Sequence, residues 1–247
     1  MTLEQFFKEV PRASLAFSGG TDSALLLWAA KTYGCDVRAY YVNTVFQPAF
    51  ELADAKRLAE ELEVPMTVVE ADVLAVPEAA VNGPRRCYYC KKALFTTLWK
   101  RAAEDGYTVL LDGTNASDDA GDRPGMQALR ELEVRSPLRE CGITKDQVRQ
   151  MSKEAGLFTW DKPAYACLAT RVPTGTAITR EALEKVERGE DALFKLGFTD
   201  FRVRLMGDAA RIQLPEAQME RAVQLHDTIA KALERDFSAV LLDLKGR

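Results

Sequence analysis

In the first half of the chain, short apolar runs typical of strands alternate with longer stretches typical of helices. Four short, mainly apolar runs predict strands, at 14–17, 37–42, 67–70 and 108–111. Three helices are predicted: 24–31 consists of strong helix formers, 48–63 has charged and apolar residues at helical spacing, and 88–105 is a further helical stretch. This alternation of strands and helices indicates an α/β fold, in which helices cover both faces of a parallel sheet. The loops after residues 17, 42 and 111 are then expected at the carboxyl edge of the sheet, where such folds bind ligands.

The second half of the chain has a different pattern. Thr144 and Gly156 are a predicted N-cap and stop for one helix, and a loop rich in Pro, Gly and Thr follows over 157–176. Further helices and short alternating strands are predicted, at 179–195, 201–205, 210–214, 215–234 and 239–244. We therefore expect a smaller α+β domain at the C-terminal end, with the boundary between residues 1–160 and 161–247.

Composition narrows the class of protein. The 247 residues carry a net charge of -4, which does not favour wrapping a nucleic acid. No apolar run is long enough for a membrane helix and no leader pattern opens the chain, so we expect a cytoplasmic protein with reduced thiols. The single histidine, His226, disfavours Ser-His-Asp and multi-histidine chemistry.

A small-residue loop connects the first predicted strand and helix. It reads Ser18, Gly19, Gly20, Thr21, Asp22 and Ser23. Two glycines let the backbone approach an anion, and the free N–H groups of the helix start then hold phosphate. The serine hydroxyls add donors, and Asp22 is placed to hold Mg²⁺. A helix-capping turn is the structural alternative, but the full motif favours a phosphate-binding loop.

This motif resembles the pyrophosphate loop of the ATP pyrophosphatase (PP-loop) superfamily. The resemblance implies that residues 18–23 hold the pyrophosphate of ATP and that Asn43, after the second strand, lies by the adenine. It also implies that Gly113 and Thr114, after the fourth strand, flank the ribose and phosphates. Members of this superfamily split ATP between the α and β phosphates and often adenylate a carboxylate.

Three cysteines have spacings that suggest a function. Cys87 and Cys90 stand three residues apart near a predicted helix start, and Cys167 lies in the later loop. Zinc held with His226, a redox dithiol, or three thiolates on a [4Fe–4S] cluster all agree with this spacing, which does not choose among them. The thiolate form of Cys87 and Cys90 is favoured by four basic neighbours, Arg85, Arg86, Lys91 and Lys92. Cys35 and Cys141 stand alone and are expected to be small buried residues.

Several motifs together resemble the LarE family of ATP-dependent sulfur transferases over nearly the whole chain. They are Arg86-Cys87-Tyr88-Tyr89-Cys90-Lys91, Asp112-Gly113-Thr114-Asn115, Arg123-Pro124-Gly125, Ser136-Pro137-Leu138, the segment 166–173 around Cys167, Phe201-Arg202-Val203-Arg204 and Leu241-Leu242-Asp243-Leu244. The resemblance implies a small-molecule nucleotide substrate, pyridinium-3,5-biscarboxylic acid mononucleotide. Its carboxylates are adenylated and then converted to thiocarboxylates, in the synthesis of a nickel-pincer nucleotide cofactor.

The family resemblance also implies roles for individual residues. Cys87, Cys90 and Cys167 place the chain with members that hold a [4Fe–4S] cluster, while a sacrificial Cys167 is the alternative sulfur source. Arg202 and Arg204 alternate on a strand, share a face and are implied to grip the substrate phosphate. Further substrate-site residues are implied at three positions, Glu190, Asp243 and Arg171.

The family further implies ATP and Mg²⁺ as cofactors, a homo-oligomer, an external sulfur donor and a downstream nickel insertase as partners. Three rivals remain at this point. A PP-loop tRNA thiolase predicts a basic RNA-binding face, which the acidic net charge disfavours. An amide-forming PP-loop ligase leaves the three cysteines without a role. A non-catalytic nucleotide sensor predicts no pyrophosphate release with any substrate.

Overall fold

The computed structural model describes residues 1–118 and 124–247. Its α-helices and strands are, in chain order, α1 (Leu3–Glu9), β1 (Arg12–Ala16), α2 (Thr21–Thr32), β2 (Asp36–Asn43), α3 (Ala49–Glu61), β3 (Met66–Glu70), α4 (Pro77–Ala80), α5 (Arg86–Glu104), β4 (Leu110–Leu111), α6 (Pro124–Glu131), α7 (Pro137–Glu140), α8 (Lys145–Glu154), α9 (Arg180–Lys195), β5 (Arg202–Met206), β6 (Ala209–Gln213), α10 (Met219–Gln224), α11 (His226–Leu233) and β7 (Val240–Leu242). Arg123 of the Arg-Pro-Gly motif lies outside the described residues.

The chain divides into two compact units. The first contains residues 1–76 and 85–162, and the second contains 77–84 and 163–247. The short segment 77–84 therefore groups with the C-terminal residues. Asn82 explains this, because its buried side-chain amide donates to the carbonyls of Val172, Pro173 and Thr176. The domain boundary predicted between 160 and 161, with a separate role for each domain, stays a prediction.

A parallel sheet of four strands organises the first unit, in the order β3-β2-β1-β4. Leu15 of β1 pairs with Ala39 of β2 on one side and with Leu111 of β4 on the other. This confirms the predicted α/β class. Because all four strands run the same way, the residues that follow β1, β2 and β4 meet at one edge of the sheet.

Helices bury both faces of this sheet. Leu25 and Leu26 of α2 and Val148 of α8 belong to one buried cluster with Leu15. Tyr40 and Leu98 belong to a second cluster, in which α5 takes part. Burial on both faces explains why the strands read as continuous apolar runs rather than as alternating ones.

The start of α8 has the predicted cap. The Thr144 hydroxyl accepts from the backbone N–H of Gln147, and the Gln147 side chain accepts from the backbone N–H of Thr144. Gly156 adopts a φ of +70° just after the helix, the left-handed conformation that commonly ends helices. The fixed start of α8 is important because the next residue, Lys145, reaches the phosphate loop.

The second unit contains a sheet of three strands in the order β5-β6-β7. β5 and β6 are antiparallel, whereas β6 and β7 are parallel. This confirms the predicted α+β character. The single helix predicted over 215–234 is instead a 3-10 turn at Glu216–Gln218 followed by α10 and α11, which are separated at Leu225. No helix in the described parts of the chain is both long and apolar enough to span a membrane.

Candidate active site

The phosphate loop follows β1 directly and ends in the first turn of α2. The Ser18 and Ser23 hydroxyls lie 3.1 Å apart, and the Ser23 hydroxyl also accepts from the backbone N–H of Ser18. Gly20 is the N-cap of α2 and provides no side-chain hydrogen bond there. Thr21 fastens the helix start by donating to the carbonyl of Thr159 at 2.8 Å. The loop is thus held by its own hydroxyls, with backbone N–H groups at the helix start suited to an anion.

Two glycines are required by close packing at this loop. Gly19 has a φ of +71°, and an added Cβ would come within 3.1 Å of the Ala55 backbone. A Cβ on Gly113 would come within 3.0 Å of the Ser23 backbone nitrogen. The loop after β4 therefore packs tightly on the first turn of α2, and a larger residue at either position displaces backbone.

The Asp22 carboxylate binds two donors from other parts of the chain. Asn115, in the loop after β4, donates to one carboxylate oxygen at 3.0 Å. Lys145, the first residue of α8, donates to the other oxygen at 2.5 Å. Both partners are more than 90 residues away in sequence, so the tertiary fold creates this arrangement.

The loop after β4 is shaped by a buried carboxylate. Asp112 accepts from the Thr114 hydroxyl at 2.5 Å and from the Ser136 hydroxyl at 2.6 Å. Asp112, Thr114 and Asn115 are all buried. These contacts place Gly113 and Asn115 against α2. Thr114 is consequently engaged with Asp112, and its implied contact with nucleotide stays a prediction.

Asn43 ends β2 at the same edge of the sheet. Its side-chain amide donates to both carboxylate oxygens of Glu70 at 3.0 Å, across the neighbouring strand. The backbone N–H of Phe46 donates to the Thr44 hydroxyl at 3.0 Å, which shapes the loop that follows. The implied adenine contact of Asn43 is not tested by these interactions.

Cys167 lies in the second unit, directly before a 3-10 turn at Leu168–Arg171. Its backbone carbonyl accepts from the Thr170 hydroxyl at 2.9 Å and from the Arg171 guanidinium at 3.3 Å. The same guanidinium nitrogen donates to the carbonyl of Ala166. The segment that presents the thiol is therefore fixed through its backbone.

Arg171 and Glu190 form a buried ion pair beneath this segment. Two guanidinium nitrogens of Arg171 donate to the two Glu190 oxygens at 2.8 and 3.0 Å, and each residue is 1% exposed. The Tyr165 hydroxyl and the backbone N–H of Val203 also donate to Glu190. Burial alone lowers the pKa of Arg171, but hydrogen bonds and attraction from Glu190 outweigh it, so the pKa is raised. Burial and the Glu190 charge raise the pKa of Tyr165 well above its usual range.

Arg202 and Arg204 both reach the backbone of the same loop from β5. Arg202 donates to the carbonyls of Phe201 and Ala164, each at 2.6 Å. Arg204 donates to the carbonyl of Thr170 and to the side chain of Gln213, each at 2.5 Å. Both guanidinium groups are therefore directed to one face of the strand, as their alternation predicts.

The charge around these arginines is unbalanced. Burial, with repulsion from Arg171 and Arg247, lowers the pKa of Arg202 to about 10. Burial also lowers the pKa of Arg204, with repulsion from Arg171 and Arg211. Arg202 has a long contact with the Asp200 carboxylate, at 3.9 Å, while Arg204 contacts a carbonyl and an amide, and an anion beside two such guanidinium groups is stabilised. Asp243, on the neighbouring strand end, binds Gln213 at 2.8 Å and so supports Arg204 indirectly.

Cys87 and Cys90 lie in the first turns of α5. Cys87 is exposed and Cys90 is half-buried, and neither is in a disulfide. Arg86 donates to the Cys87 sulfur at 3.7 Å. Lys92 instead donates to Glu131 at 2.8 Å and to the Tyr88 hydroxyl at 2.9 Å, so its ammonium forms an ion pair with α6. Within residues 1–118 and 124–247, no three His, Cys, Asp or Glu side chains are grouped closely enough to hold a metal ion.

The two solitary cysteines differ in burial: Cys35 is buried, as expected, whereas Cys141 is half-buried. Cys35 is buried and its thiol donates to the carbonyl of Val10. Burial, with repulsion from Asp36, raises the pKa of Cys35 to about 11. Burial raises the pKa of Cys141 as well. Both residues favour the thiol form and are poor candidates for sulfur chemistry.

Sequence reasoning missed three residues of these sites. Lys145, Asn115 and Tyr165 each contact a predicted site residue: Lys145 and Asn115 bind Asp22, and Tyr165 binds Glu190. Asn115 was part of a recognised motif but had no individual role. The only available signal for Lys145 was its position directly after the Thr144 cap, which fixes its helix but not its distant partner.

Comparisons with known proteins agree with this architecture. A family model described as "Queuosine biosynthesis protein QueC" matches residues 12–81, which include the phosphate loop. An uncharacterized protein of Synechocystis sp. is 40% identical over 99% of this chain and 92% of its own length. A tRNA-specific 2-thiouridylase of Clostridium botulinum is 24% identical over 71% of this chain and 60% of its own length.

A further relative has a described activity. It is the pyridinium-3,5-bisthiocarboxylic acid mononucleotide synthase of Lactiplantibacillus plantarum. The two chains are 36% identical over 248 residues, which cover 99% of this chain and 90% of the relative. A match of this extent includes both compact units, the phosphate loop and the Cys167 segment. The chain therefore belongs to the LarE-like family of PP-loop sulfurtransferases and is an enzyme of that family.

Proposed function

We propose that this enzyme uses ATP to convert the carboxylates of pyridinium-3,5-biscarboxylic acid mononucleotide to thiocarboxylates, as a step towards a nickel-pincer nucleotide cofactor. The observation that carries this proposal is the nearly full-length match to the Lactiplantibacillus plantarum synthase. The phosphate loop and the arginine-rich Cys167 segment support it, because the reaction needs ATP activation, a sulfur nucleophile and recognition of a substrate phosphate.

The residues around the phosphate loop fit a nucleotide with Mg²⁺. The left-handed Gly19 and the tight approach of Gly113 leave backbone rather than side chains at the start of α2. Asp22 is the carboxylate that would hold Mg²⁺, and the ion would neutralise phosphate charge. Backbone N–H groups of residues 18–23 bind the pyrophosphate part of ATP, while Asn43, Gly113 and Thr114 border the nucleoside.

The chemistry requires two successive substitutions, the first at the α phosphorus of ATP and the second at the carboxyl carbon of the substrate. A substrate carboxylate oxygen attacks the α phosphorus of ATP, and pyrophosphate leaves to the loop. A sulfur nucleophile then attacks the activated acyl carbon, and the bond to AMP breaks. AMP is a far better leaving group than an oxide. Hydrogen-bond donors already positioned where negative charge develops in the transition state lower the barrier further. Neither step needs a histidine.

In this proposal sulfur is delivered through a [4Fe–4S] cluster, and sacrifice of the Cys167 sulfur is the alternative. Cys87, Cys90 and Cys167 would together hold a [4Fe–4S] cluster, and their donor chemistry fits, since all three are thiols outside disulfides and two lie a helical turn apart. When bound, the cluster would supply sulfide as the nucleophile. In the alternative, Cys167 gives up its own sulfur: the acyl thioester forms on Cys167, the Cβ–S bond breaks with loss of the Cα proton, and dehydroalanine remains.

Arg202 and Arg204 bind the substrate phosphate in this proposal. Burial and repulsion from neighbouring arginines lower the pKa values of Arg202 and Arg204, and a phosphate dianion beside them would offset both effects. Arg171 and Glu190 maintain the shape of the Cys167 segment, and Asp243 orients Gln213 beside Arg204. The proposed substrate side of the site therefore contains Arg202, Arg204, Arg171, Glu190 and Asp243.

The central experiment supplies the biscarboxylate substrate, ATP and Mg²⁺ to anaerobically purified enzyme. We expect pyrophosphate release and a product mass that reports replacement of oxygen by sulfur. Mass spectrometry of the protein then separates the two sulfur sources. Multiple turnovers with Cys167 intact support the cluster, whereas one turnover with loss of H₂S from Cys167 supports sacrifice. Reconstitution that leaves neither iron nor cluster absorbance would reject the cluster.

One second candidate is favoured by a specific observation, the match to the Clostridium botulinum tRNA 2-thiouridylase. It shares the activation chemistry but acts on a polyanion, and this chain carries a net charge of -4. A binding measurement with bulk tRNA decides between them. Salt-dependent binding, followed by thiolation of the tRNA, would replace the proposed substrate.

We also propose a cytoplasmic homo-oligomer that receives sulfur from an external donor and passes its product to a nickel insertase. The exposed Cys87 supports exchange with a donor. Light scattering coupled to size-exclusion chromatography gives the number of subunits. Repeated turnover that depends on an added cysteine desulfurase or free sulfide tests the donor.

A further inference from the structure

Tyr165, two residues before Cys167, contacts two arginines and a carboxylate of the second unit. The centre of its ring lies 4.4 Å from the guanidinium carbon of Arg171 and 5.1 Å from that of Arg202. Both distances are within the range of a cation–π contact, in which the negative face of an aromatic ring attracts a cation. The Tyr165 hydroxyl donates to Glu190. One side chain therefore connects the buried ion pair with an arginine of the proposed phosphate site.

The Glu190 carboxylate is fully occupied by donors. Its Oε1 accepts from Arg171 Nε at 2.8 Å and from the backbone N–H of Val203 at 2.9 Å. Its Oε2 accepts from Arg171 Nη2 at 3.0 Å and from the Tyr165 hydroxyl. A carboxylate offers about four lone-pair sites, two on each oxygen, and the Tyr165 hydroxyl fills the last of them.

Arg202 lies close enough to Glu190 to be attracted by it, yet its hydrogen bonds are made elsewhere. Its guanidinium donates to two backbone carbonyls, each at 2.6 Å, and its contact with Asp200 is long, at 3.9 Å. Burial lowers the pKa of Arg202 most, repulsion from Arg171 adds to this effect, and attraction from Glu190 opposes it. Two hydrogen bonds use only part of the N–H donors of a guanidinium, so others are available to an anion.

We propose that Tyr165 is a positioning residue that keeps Arg202 directed at the substrate phosphate, because its hydroxyl fills the acceptor position of Glu190 that Arg202 would otherwise take. A guanidinium paired with Glu190 is neutralised and turned from the phosphate, whereas one beside an aromatic ring keeps its charge and its donors. This inference rests on the proposed function, because it assumes that Arg202 binds the substrate phosphate. The competing interpretation is that Tyr165 only packs beneath the Cys167 segment.

The test is a double-mutant cycle of Tyr165→Phe and Arg202→Gln. Calorimetry measures the affinity of each variant for the biscarboxylate mononucleotide and for its dephosphorylated nucleoside. Tyr165→Phe keeps the ring but opens the acceptor position, so we expect the mononucleotide to bind about tenfold more weakly and the nucleoside to bind as it does to the wild type. In the Arg202→Gln background, Tyr165→Phe should cause no further loss, because the guanidinium that it positions is already absent.

Tyr33→Phe, at the end of α2, is the matched control and should bind both ligands like the wild type. Wild-type affinity in Tyr165→Phe overturns the role of Tyr165, as does an equal loss for mononucleotide and nucleoside, or losses that multiply in the double variant. A wild-type protein that binds neither ligand overturns the proposed function instead. If Tyr165→Phe does not fold, as judged by its melting temperature, Tyr165→Met fills the space without a hydroxyl and repeats the cycle.

Discussion

Arg171 and Glu190 form a two-point ion pair that is almost completely buried, and the pair holds the segment that carries Cys167. The guanidinium binds Glu190 with two nitrogens and the carbonyls of Ala166 and Cys167 with the third. Glu190 in turn accepts from the backbone of Val203 on β5. One ion pair thus connects α9, β5 and the thiol-bearing segment.

Glu190→Gln should destabilise the second unit strongly, since it leaves a buried guanidinium without its counter-charge. The expected loss is about 3–5 kcal/mol in the free energy of unfolding. Asp236→Asn is the matched control, because its pair with Arg188 is more exposed and should contribute about 1 kcal/mol or less. Denaturant unfolding measures both. Similar losses in the two variants would contradict the central position of the buried pair.

Arg171→Lys keeps the charge but not the planar fork that binds Glu190 and two carbonyls together. We expect sulfur transfer to fall by much more than pyrophosphate release, because the phosphate loop lies in the other unit. Parallel assays of the two products measure this separation. Equal losses in both products would show that Arg171 acts on the activation step as well.

Gly19→Ala should abolish nucleotide binding. The substitution costs about 1–2 kcal/mol for the left-handed backbone, and its Cβ also meets the Ala55 backbone at 3.1 Å. Gly34→Ala has nearly the same strain, with a φ of +79°, but no atom lies within 4 Å of its Cβ. It should therefore lose stability without losing ATP affinity. Calorimetry with Mg·ATP compares the variants, and normal ATP binding by Gly19→Ala would remove this loop from the nucleotide site.

Cys167→Ala should eliminate sulfur transfer and leave pyrophosphate release largely intact, because adenylation precedes the attack of sulfur. Cys141→Ala is the control, since burial raises the pKa of that thiol and disfavours its reactive form. If Cys167→Ala loses both products together, Cys167 also has a role in activation.

Asp22→Ala should have the opposite effect of Cys167→Ala and suppress pyrophosphate release itself.

Arg202→Gln and Arg204→Gln should each raise the KM for the phosphorylated substrate by about 10- to 100-fold, the value of one charge-assisted contact. A dephosphorylated substrate should discriminate little between these variants and the wild type, because the contact is then missing in all of them. The exposed Arg180→Gln, at the start of α9, serves as control. An unchanged KM in both strand variants would place the substrate phosphate elsewhere.

Cys35 makes stability depend on alkaline pH. Its folded pKa of about 11 lies above the ordinary value of 9.0, so the neutral thiol is favoured in the folded state. The resulting stability is complete below pH 9 and is lost as the pH rises through about 11. The loss is on the order of 2–3 kcal/mol. Cys35→Ala should lack this loss, which denaturant unfolding at several pH values measures by comparison with the wild type.

The sequence by itself determined those features that depend on near neighbours. The apolar runs predicted the four parallel strands, and the Thr144 and Gly156 signals predicted both ends of α8. The alternation of Arg202 and Arg204 placed them on one strand face, since side chains on a strand repeat every second residue. Local pattern was insufficient at Leu225, where an amphipathic segment that resembles one helix is divided into two.

Only the tertiary structure decided which distant groups meet. Lys145 contacts Asp22 across 123 residues, and segment 77–84 joins the second unit because Asn82 binds carbonyls about 90 residues later. Arg171 and Glu190 read as two substrate-site candidates in the sequence, but they bind each other in the folded chain. Such pairs depend on strand order and helix placement, which no local spacing encodes. The sequence shows that a residue is charged, but it does not show whether water or a buried carboxylate surrounds that charge.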